Sequence, residues 1–348
     1  MSYSIEVYKG NQKAEKHFGI YALYVMFYPQ LVAGPIERPQ NILPQLKNEI
    51  KYQSENISNG VQIMLWGLFK KVVVADRLAI LIDNAYANPA HHNGFTLLIA
   101  SFFFSIQIYC DFSGYSDMAI GCAKTLGIDL MKNFNKPYFS RSISDFWRRW
   151  HISLSTWFRD YVYIPLGGSR NGYWLTYRNI IIVFLISGLW HGASWTFIAW
   201  GFIHGILLII EHLFKLNKVL NSSNRLLSFL QIVIVFLIVS FAWIFFRAES
   251  VSDAFLIYKK IFTNLQFNTS SIKECILLFK GDATSLDSFI ICIFFIIILF
   301  LYEGKTNITK KLSFSENEKS NYTLLAFVVL SILFFGYFNS RSFIYFQF

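Results

Sequence analysis

Long apolar stretches, each near the length that crosses a lipid bilayer, constrain this chain more than any other feature. A membrane-spanning helix needs about 20 residues, because each residue rises about 1.5 Å and the hydrocarbon core is about 30 Å thick. Such stretches run over residues 95–110, 179–210, 227–246, 286–302 and 322–338. No strand alternation and no internal repeat accompany them. We therefore expect an all-α polytopic membrane protein.

The composition agrees with a membrane protein. Of the 348 residues, 54% are hydrophobic and 15% are charged, whereas soluble domains carry about 25% charged residues. The net charge of +10 is explained by loop Lys and Arg that contact anionic membrane lipid, so we expect no nucleic-acid partner. The four cysteines form no CxxC pair and HExxH is absent, so we predict no metal site.

Two weaker apolar stretches come earlier in the chain. Residues 18–34 contain Pro29 and end in AGP, which predicts a short or re-entrant segment. Residues 61–82 are interrupted by charges, Lys70 and Asp76 among them, which favours a position partly at the membrane interface.

Residues 111–178 are too polar to span simply and too aromatic for a loose loop. On a helical wheel at about 100° per residue, residues 144–161 place most of their aromatic side chains on one arc and their Arg, Ser and Asp side chains on the other. Ser142 or Ser144 is a plausible N-cap. We expect an amphipathic helix at the interface or the bundle rim, within an amphipathic or re-entrant core segment over 111–178.

A histidine stands inside the apolar run ISGLWHGASWTF, residues 186–197. As one helix, residues 179–210 would be about 45 Å long, which exceeds the membrane core. We therefore expect strong tilt or a break, most readily between Gly188 and Ser194. Ionisable residues in such runs usually face a cavity and have a function, which makes His191 the first candidate. The alternative is a neutral, hydrogen-bonded structural histidine.

Three further histidines are weaker candidates. His151 lies at the edge of the aromatic arc, where it has a function or merely anchors the helix. His204 and His212 are eight residues apart, which is not a metal-binding pattern, so we interpret them as core and interfacial residues.

Two aspartates and two arginines are further candidate site residues. Asp111 and Asp117 follow the 95–110 stretch, where they line a polar cavity or form a solvated helix end. Arg159 and Arg170 lie near the Gly-rich turn at 165–172, whose backbone N–H groups suit phosphates. The turn matches no P-loop pattern, so its spacing alone assigns nothing.

Five stretches occur in order along the chain: FYPQLVAGPIERPQNILPQL, YCDFSGYSDMAIG, FWRRWHISLSTWFRDYVYIPLGGSRNG, GLWHGASWTFIAWGFIHG and the terminal FIYFQF. Together they resemble the membrane-bound O-acyltransferase family, most closely its bacterial branch of alginate O-acetyltransferase-like proteins. The D-alanyl transferase of teichoic acid synthesis is a more distant likeness. Relatives usually carry more spans before the EVYKG-like position, so we expect a single membrane domain over 1–348 that is N-terminally shortened.

The resemblance implies a ring-like bundle with interfacial and re-entrant helices around a central histidine. It assigns catalysis to His191 of the LWHG motif, with His151 of RRWHISLS as the second histidine. We also expect Trp190 to line the cavity. No cofactor is bound; acetyl-CoA is the expected co-substrate. A periplasmic or membrane-anchored serine-hydrolase-like acetyltransferase is the expected partner, a cell-surface polysaccharide the acceptor, and the bacterial inner membrane the location.

The implied chemistry is O-acetyl transfer. His191 takes the proton of an attacking hydroxyl, while four arginines attract the CoA phosphates: Arg148, Arg149, Arg159 and Arg170. Two alternatives stay open at this point. One is an inactive or truncated scaffold; the other is a transporter, which predicts inverted repeats.

Overall fold

The computed structural model describes residues 1–49, 52–214, 224–279, 285–305, 318–338 and 343. Of the terminal FIYFQF stretch, residues 344–348 therefore lie outside the described residues. The α-helices are α1 (Ser2–Tyr8), α2 (Phe18–Val25), α3 (Pro39–Lys47), α4 (Ser54–Leu68), α5 (Asp76–Ala87), α6 (Gly94–Thr125), α7 (Ile143–Arg149), α8 (Ile152–Phe158), α9 (Tyr173–His191), α10 (Trp195–Leu213), α11 (Arg225–Arg247), α12 (Val251–Thr263), α13 (Thr269–Leu277), α14 (Ser285–Lys305) and α15 (Glu318–Phe335). No strand occurs within these ranges.

Five helices of the described chain are long and apolar enough to cross a membrane, which confirms the predicted all-α polytopic class. They are α6, α9, α10, α11 and α14. The apolar part of α15, Tyr322–Phe335, is shorter than a full span. Residues 18–34 form the short helix α2 and a 3₁₀ turn at Tyr28–Gln30, which agrees with the predicted short segment.

The described residues form two compact units. The first comprises the described residues within Met1–Val73, Phe112–Asn133 and Thr306–Gly336, and the second those within Val74–Asp111, Phe134–Lys305 and Tyr337–Phe348. The predicted single domain over 1–348 stays a prediction.

Close helix approach and a buried ion pair organise the first unit. A Cβ added to Gly67 would lie 2.4 Å from the carbonyl oxygen of Gly114, so only glycine allows this contact between backbones. A π-helical segment, Phe69–Ala75, follows α4. In it, Lys70 is buried; its Nζ donates to Ser113 Oγ at 2.8 Å and pairs with Asp117 Oδ2 at 2.6 Å.

In the second unit, the apolar run 179–210 is two helices, because the chain breaks where the sequence predicts. Helix α9 ends at His191 and α10 begins at Trp195, with Ser194 Oγ accepting a hydrogen bond from Thr196 N at 3.3 Å. The two helices then pack against each other as an antiparallel pair. A Cβ on Gly188 would lie 2.4 Å from Phe197 O, so the pair touches backbone to backbone.

The predicted single helix over 144–161 is wrong. Helix α7 ends at Arg149, His151 adopts a left-handed conformation with φ 43° and ψ 54°, and α8 begins at Ile152. A left-handed residue cannot continue a right-handed helix and costs about 1–2 kcal/mol for a side chain with a Cβ. The predicted N-cap at Ser142 is confirmed, since its Oγ accepts from Asp145 N at 3.1 Å. The segment 111–178 also begins inside α6, which continues to Thr125.

The glycine contacts of α9 with α10 give the first prediction. A Cβ on Gly201 would lie 2.3 Å from the backbone oxygen of Phe184, whereas one on Gly205 meets mainly the flexible Cδ1 of Ile181 at 2.9 Å. We expect Gly201→Ala to destabilise the fold by about 1–3 kcal/mol through overpacking, and Gly205→Ala to cost much less. Thermal unfolding in detergent measures both; equal unfolding temperatures would contradict the close packing.

Candidate active site

His151 is placed by the break between α7 and α8. Its side chain is buried, with 4% of its surface exposed, and its carbonyl oxygen accepts from Ser155 N at 2.9 Å. The positive φ at His151 turns the chain sharply, so α7 and α8 leave this residue in different directions. Strained non-glycine backbone of this kind is concentrated at functional sites.

His191 is placed by the break between α9 and α10. It is the last residue of α9, it is half-buried, and its Nδ1 is buried. Aromatic rings surround its imidazole at centroid distances of 4.9 Å (Trp190), 5.2 Å (Trp200) and 5.1 Å (Phe246). The sequence predicts that His191 is buried because the run 186–197 is apolar. In the structure, these three rings provide the apolar surroundings of His191 at the end of α9.

Both histidines line one cavity of about 160 Å³. Its walls are mostly apolar and aromatic, with two hydroxyl groups from serines. The other lining residues are Trp147, Trp150, Leu154, Ser155, Phe158, Val183, Phe184, Ser187 and Leu208. A small apolar cavity with a few polar groups, shared by two imidazoles, is the arrangement expected of a reaction site.

The electrostatics of the cavity favour a neutral imidazole at position 151. Burial lowers the pKa of His151 well below its ordinary value, and the nearby His191 lowers that pKa further. Desolvation has this effect because it penalises the charged form. At neutral pH, His151 therefore offers one N–H donor and one acceptor nitrogen.

The four predicted arginines lie elsewhere on the second unit. Arg149 Nε pairs with Asp145 Oδ1 at 2.8 Å, and Arg159 Nε pairs with Asp160 Oδ1 at 2.7 Å. Arg148 and Arg170 are exposed. None of these four arginines is among the described residues that line the cavity.

The other predicted cavity residues are placed as follows. Trp190 is 52% exposed, and its ring faces both histidines at 4.9 Å (His191) and 6.2 Å (His151). Asp111 is buried in α6 within the second unit. Asp117 belongs to the first unit, where it pairs with Lys70.

Sequence reasoning missed Glu211, which holds the start of α7. This buried residue of α10 accepts hydrogen bonds from the backbone of α7, from Ile143 N at 2.6 Å and from Ser144 N at 3.1 Å. Together with Ser142, whose Oγ accepts from Asp145 N, it satisfies the first N–H groups of α7. Its position in an apolar run is the signal that would have identified it.

Comparisons with known proteins agree with one another. Residues 15–252 match the family model described as MBOAT, the membrane-bound O-acyltransferase family. The chain is 42% identical over 276 residues to a probable alginate O-acetylase of Pseudomonas aeruginosa, covering 79% of this chain and 51% of that protein.

Two more relatives extend the range of similarity. A peptidoglycan O-acetyltransferase of Helicobacter pylori is 44% identical over 247 residues, covering 70% of this chain and 46% of that protein. A teichoic acid D-alanyltransferase of Bacillus subtilis is 30% identical over 246 residues, covering 65% of this chain and 60% of that protein. The chain thus spans about half the length of the alginate and peptidoglycan acetylating relatives.

The cap from Glu211 gives the second prediction. Glu211→Ala leaves buried backbone N–H groups of α7 without an acceptor, which costs about 1–3 kcal/mol for each group, so we expect a lower unfolding temperature. Glu211→Gln keeps one acceptor oxygen, so its unfolding temperature should lie between those of the unmutated protein and Glu211→Ala. Exposed Glu249, changed to Ala, is the control; an unfolding temperature for Glu211→Ala equal to that of this control would show that the cap contributes nothing.

Proposed function

The chain belongs to the membrane-bound O-acyltransferase family, and from that premise we propose that it is an O-acetyltransferase. It moves an acetyl group from a cytoplasmic donor, acetyl-CoA, toward a hydroxyl of a cell-surface polysaccharide. The observation that supports this proposal most strongly is the single cavity lined by His151 and His191. An acyl transfer needs a base beside the acyl carbon, and this cavity brings two imidazoles to one small space.

In the proposed reaction, His191 is the general base. Its imidazole takes the proton from the attacking hydroxyl as the hydroxyl oxygen bonds to the thioester carbonyl carbon. The tetrahedral intermediate then collapses, the C–S bond breaks, and the imidazolium returns the proton to the departing thiolate sulfur. Neutral His151 holds the acceptor hydroxyl or the carbonyl oxygen in place through its N–H or its acceptor nitrogen.

The cavity suits the acyl end of the donor only. Its volume of about 160 Å³ is below the roughly 300–1,000 Å³ of pockets that enclose drug-sized ligands. The body of CoA therefore stays outside, and its phosphates need basic partners there. Exposed Arg148 and Arg170 are better placed for this role than Arg149 and Arg159, because the last two are already paired with carboxylates.

The relatives support the proposed class of acceptor. Those relatives act in O-acetylation of alginate or peptidoglycan and in D-alanylation of teichoic acid, all of them polymers rich in hydroxyl groups. We propose a polysaccharide acceptor reached directly or through a periplasmic or membrane-anchored serine-hydrolase-like partner. We also propose the bacterial inner membrane as the site of action, which fits the five candidate spans.

The third prediction tests this function. We expect His191→Ala to lower acetyl transfer from radiolabelled acetyl-CoA by at least about 10²-fold, since general-base catalysis contributes about 10²–10⁴-fold. His151→Ala should lower acetyl transfer by the same factor as His191→Ala or by a smaller one. The control is His212→Ala, because His212 is exposed and its Nδ1 contacts Tyr177 Oη at 3.3 Å.

The readouts are donor turnover by the purified protein and O-acetyl content of the cell's polysaccharide, at matched membrane levels of each variant. Undiminished transfer by His191→Ala would remove His191 from the mechanism. Movement of acetyl-CoA without turnover would favour the transporter, and donor binding without turnover in the unmutated protein would favour a scaffold.

A further inference from the structure

A third histidine, His204, is buried in the second unit without the hydrogen bonds that an imidazole needs. Its side chain in the middle of α10 is 0% exposed. Among the residues that the structure describes, neither its Nδ1 nor its Nε2 has a hydrogen-bond partner. Buried polar groups are nearly always paired, so this side chain requires an explanation.

Five aromatic rings enclose His204, and we name them the aromatic box. Their centroids lie 5.0 to 6.5 Å from that of the imidazole. The members are Phe146, Trp147, Phe184, Trp200 and Trp243. Trp147 and Trp200 meet the imidazole edge to face, at 87° and 71°, a geometry in which ring edges point at π faces.

Packing alone favours a different residue at position 204. Leucine or phenylalanine would fill an apolar box without burying unpaired nitrogen atoms, and phenylalanine would keep the edge-to-face contacts. The imidazole is thus the less stable choice for the core. A residue that makes the folded protein less stable than an available alternative is typical of a functional position.

The aromatic box connects His204 to the candidate active site. The Trp200 ring lies 5.2 Å from His204 and 5.2 Å from His191, so it contacts both imidazoles. Trp147 and Phe184 contact His204 and also line the cavity. A change at position 204 therefore reaches His191 and the cavity wall through rings that contact both.

We propose that His204 is a positioning residue for His191, acting through Trp200 and the cavity wall at Trp147. Its edge-to-face packing against Trp147 and Trp200 is the geometry in which an imidazole N–H points at an indole π face. These contacts fix the orientation of the Trp200 ring, and that ring in turn limits the orientations open to His191. The catalytic part of this inference rests on the proposed acetyl transfer, whereas the positional part does not.

The experiment compares three substitutions in the full chain. His204→Leu removes both nitrogen atoms and conserves an apolar fit. His204→Gln restores one donor and one acceptor, but it cannot titrate. His212→Leu is the matched control on the same helix, because His212 is exposed and lies outside the aromatic box.

The first readout is independent of acyl transfer. It is the rate at which diethyl pyrocarbonate modifies His191, followed by peptide mass spectrometry, together with the unfolding temperature in detergent. We expect the unfolding temperature of His204→Leu to be no lower than that of the unmutated protein. We expect diethyl pyrocarbonate to modify His191 at least about threefold faster in this variant, because a loosened His191 ring is more accessible. In His204→Gln, the His191 modification rate should return most of the way to that of the unmutated protein. In His212→Leu, this rate should not change.

The second readout is kinetic. We expect His204→Leu to lower kcat for acetyl transfer at least about tenfold, with KM changed less than about twofold, because a misplaced catalytic group slows the chemical step more than it weakens binding. Glutamine should recover part of kcat.

Three outcomes would decide against the inference. An unchanged His191 modification rate in folded His204→Leu would overturn it, as would an unchanged kcat. Unfolding of His204→Leu, with a stable and fully active glutamine variant, would make His204 a structural polar residue. If the unmutated protein transfers no acetyl group, the proposed function fails, and the modification rates still decide whether His204 positions His191.

Discussion

The close packing of α9 against α10 is the constraint on which the candidate site depends. Glycines let the two backbones touch, with Gly188 against Phe197 and Gly201 against Phe184. A three-residue connection, 192–194, joins them. This short turn fixes where α9 ends and therefore where His191 stands. An added Cβ at Gly192 would lie 2.6 Å from the Phe197 ring, so the turn also admits the aromatic residues around the imidazole.

The second histidine depends on α10 as well. Glu211 of α10 accepts the first backbone N–H groups of α7, and α7 leads directly into the left-handed turn at His151. One helix thus supports both imidazoles: its packing places His191, and its carboxylate holds the helix that precedes His151. Helix α10 also carries Trp200 and His204, which connect the cavity wall to the other rings of the aromatic box.

The sequence predicts much of this arrangement, and its failures have physical causes. Hydropathy predicts the spans because the length of an apolar run is a local property, and the length of the run 179–210 predicts its break. The single helix over 144–161 is wrong because a wheel averages over residues and cannot show one left-handed backbone at His151. The aromatic box, the cap from Glu211 and the pairing of Asp117 with Lys70 are contacts between distant segments, which periodicity does not encode.

The central claim is that the cavity shared by His151 and His191 receives the acyl group. A structure of the protein in lipid nanodiscs, bound to a non-hydrolysable acetyl-CoA analogue, tests it most directly. The account predicts the acyl carbon in this cavity, with a His191 ring nitrogen at roughly 3–3.5 Å from the position of the attacking oxygen, the distance typical of reacting groups. An analogue whose acyl end lies in another part of the protein, with the cavity between the two histidines closed, would contradict it.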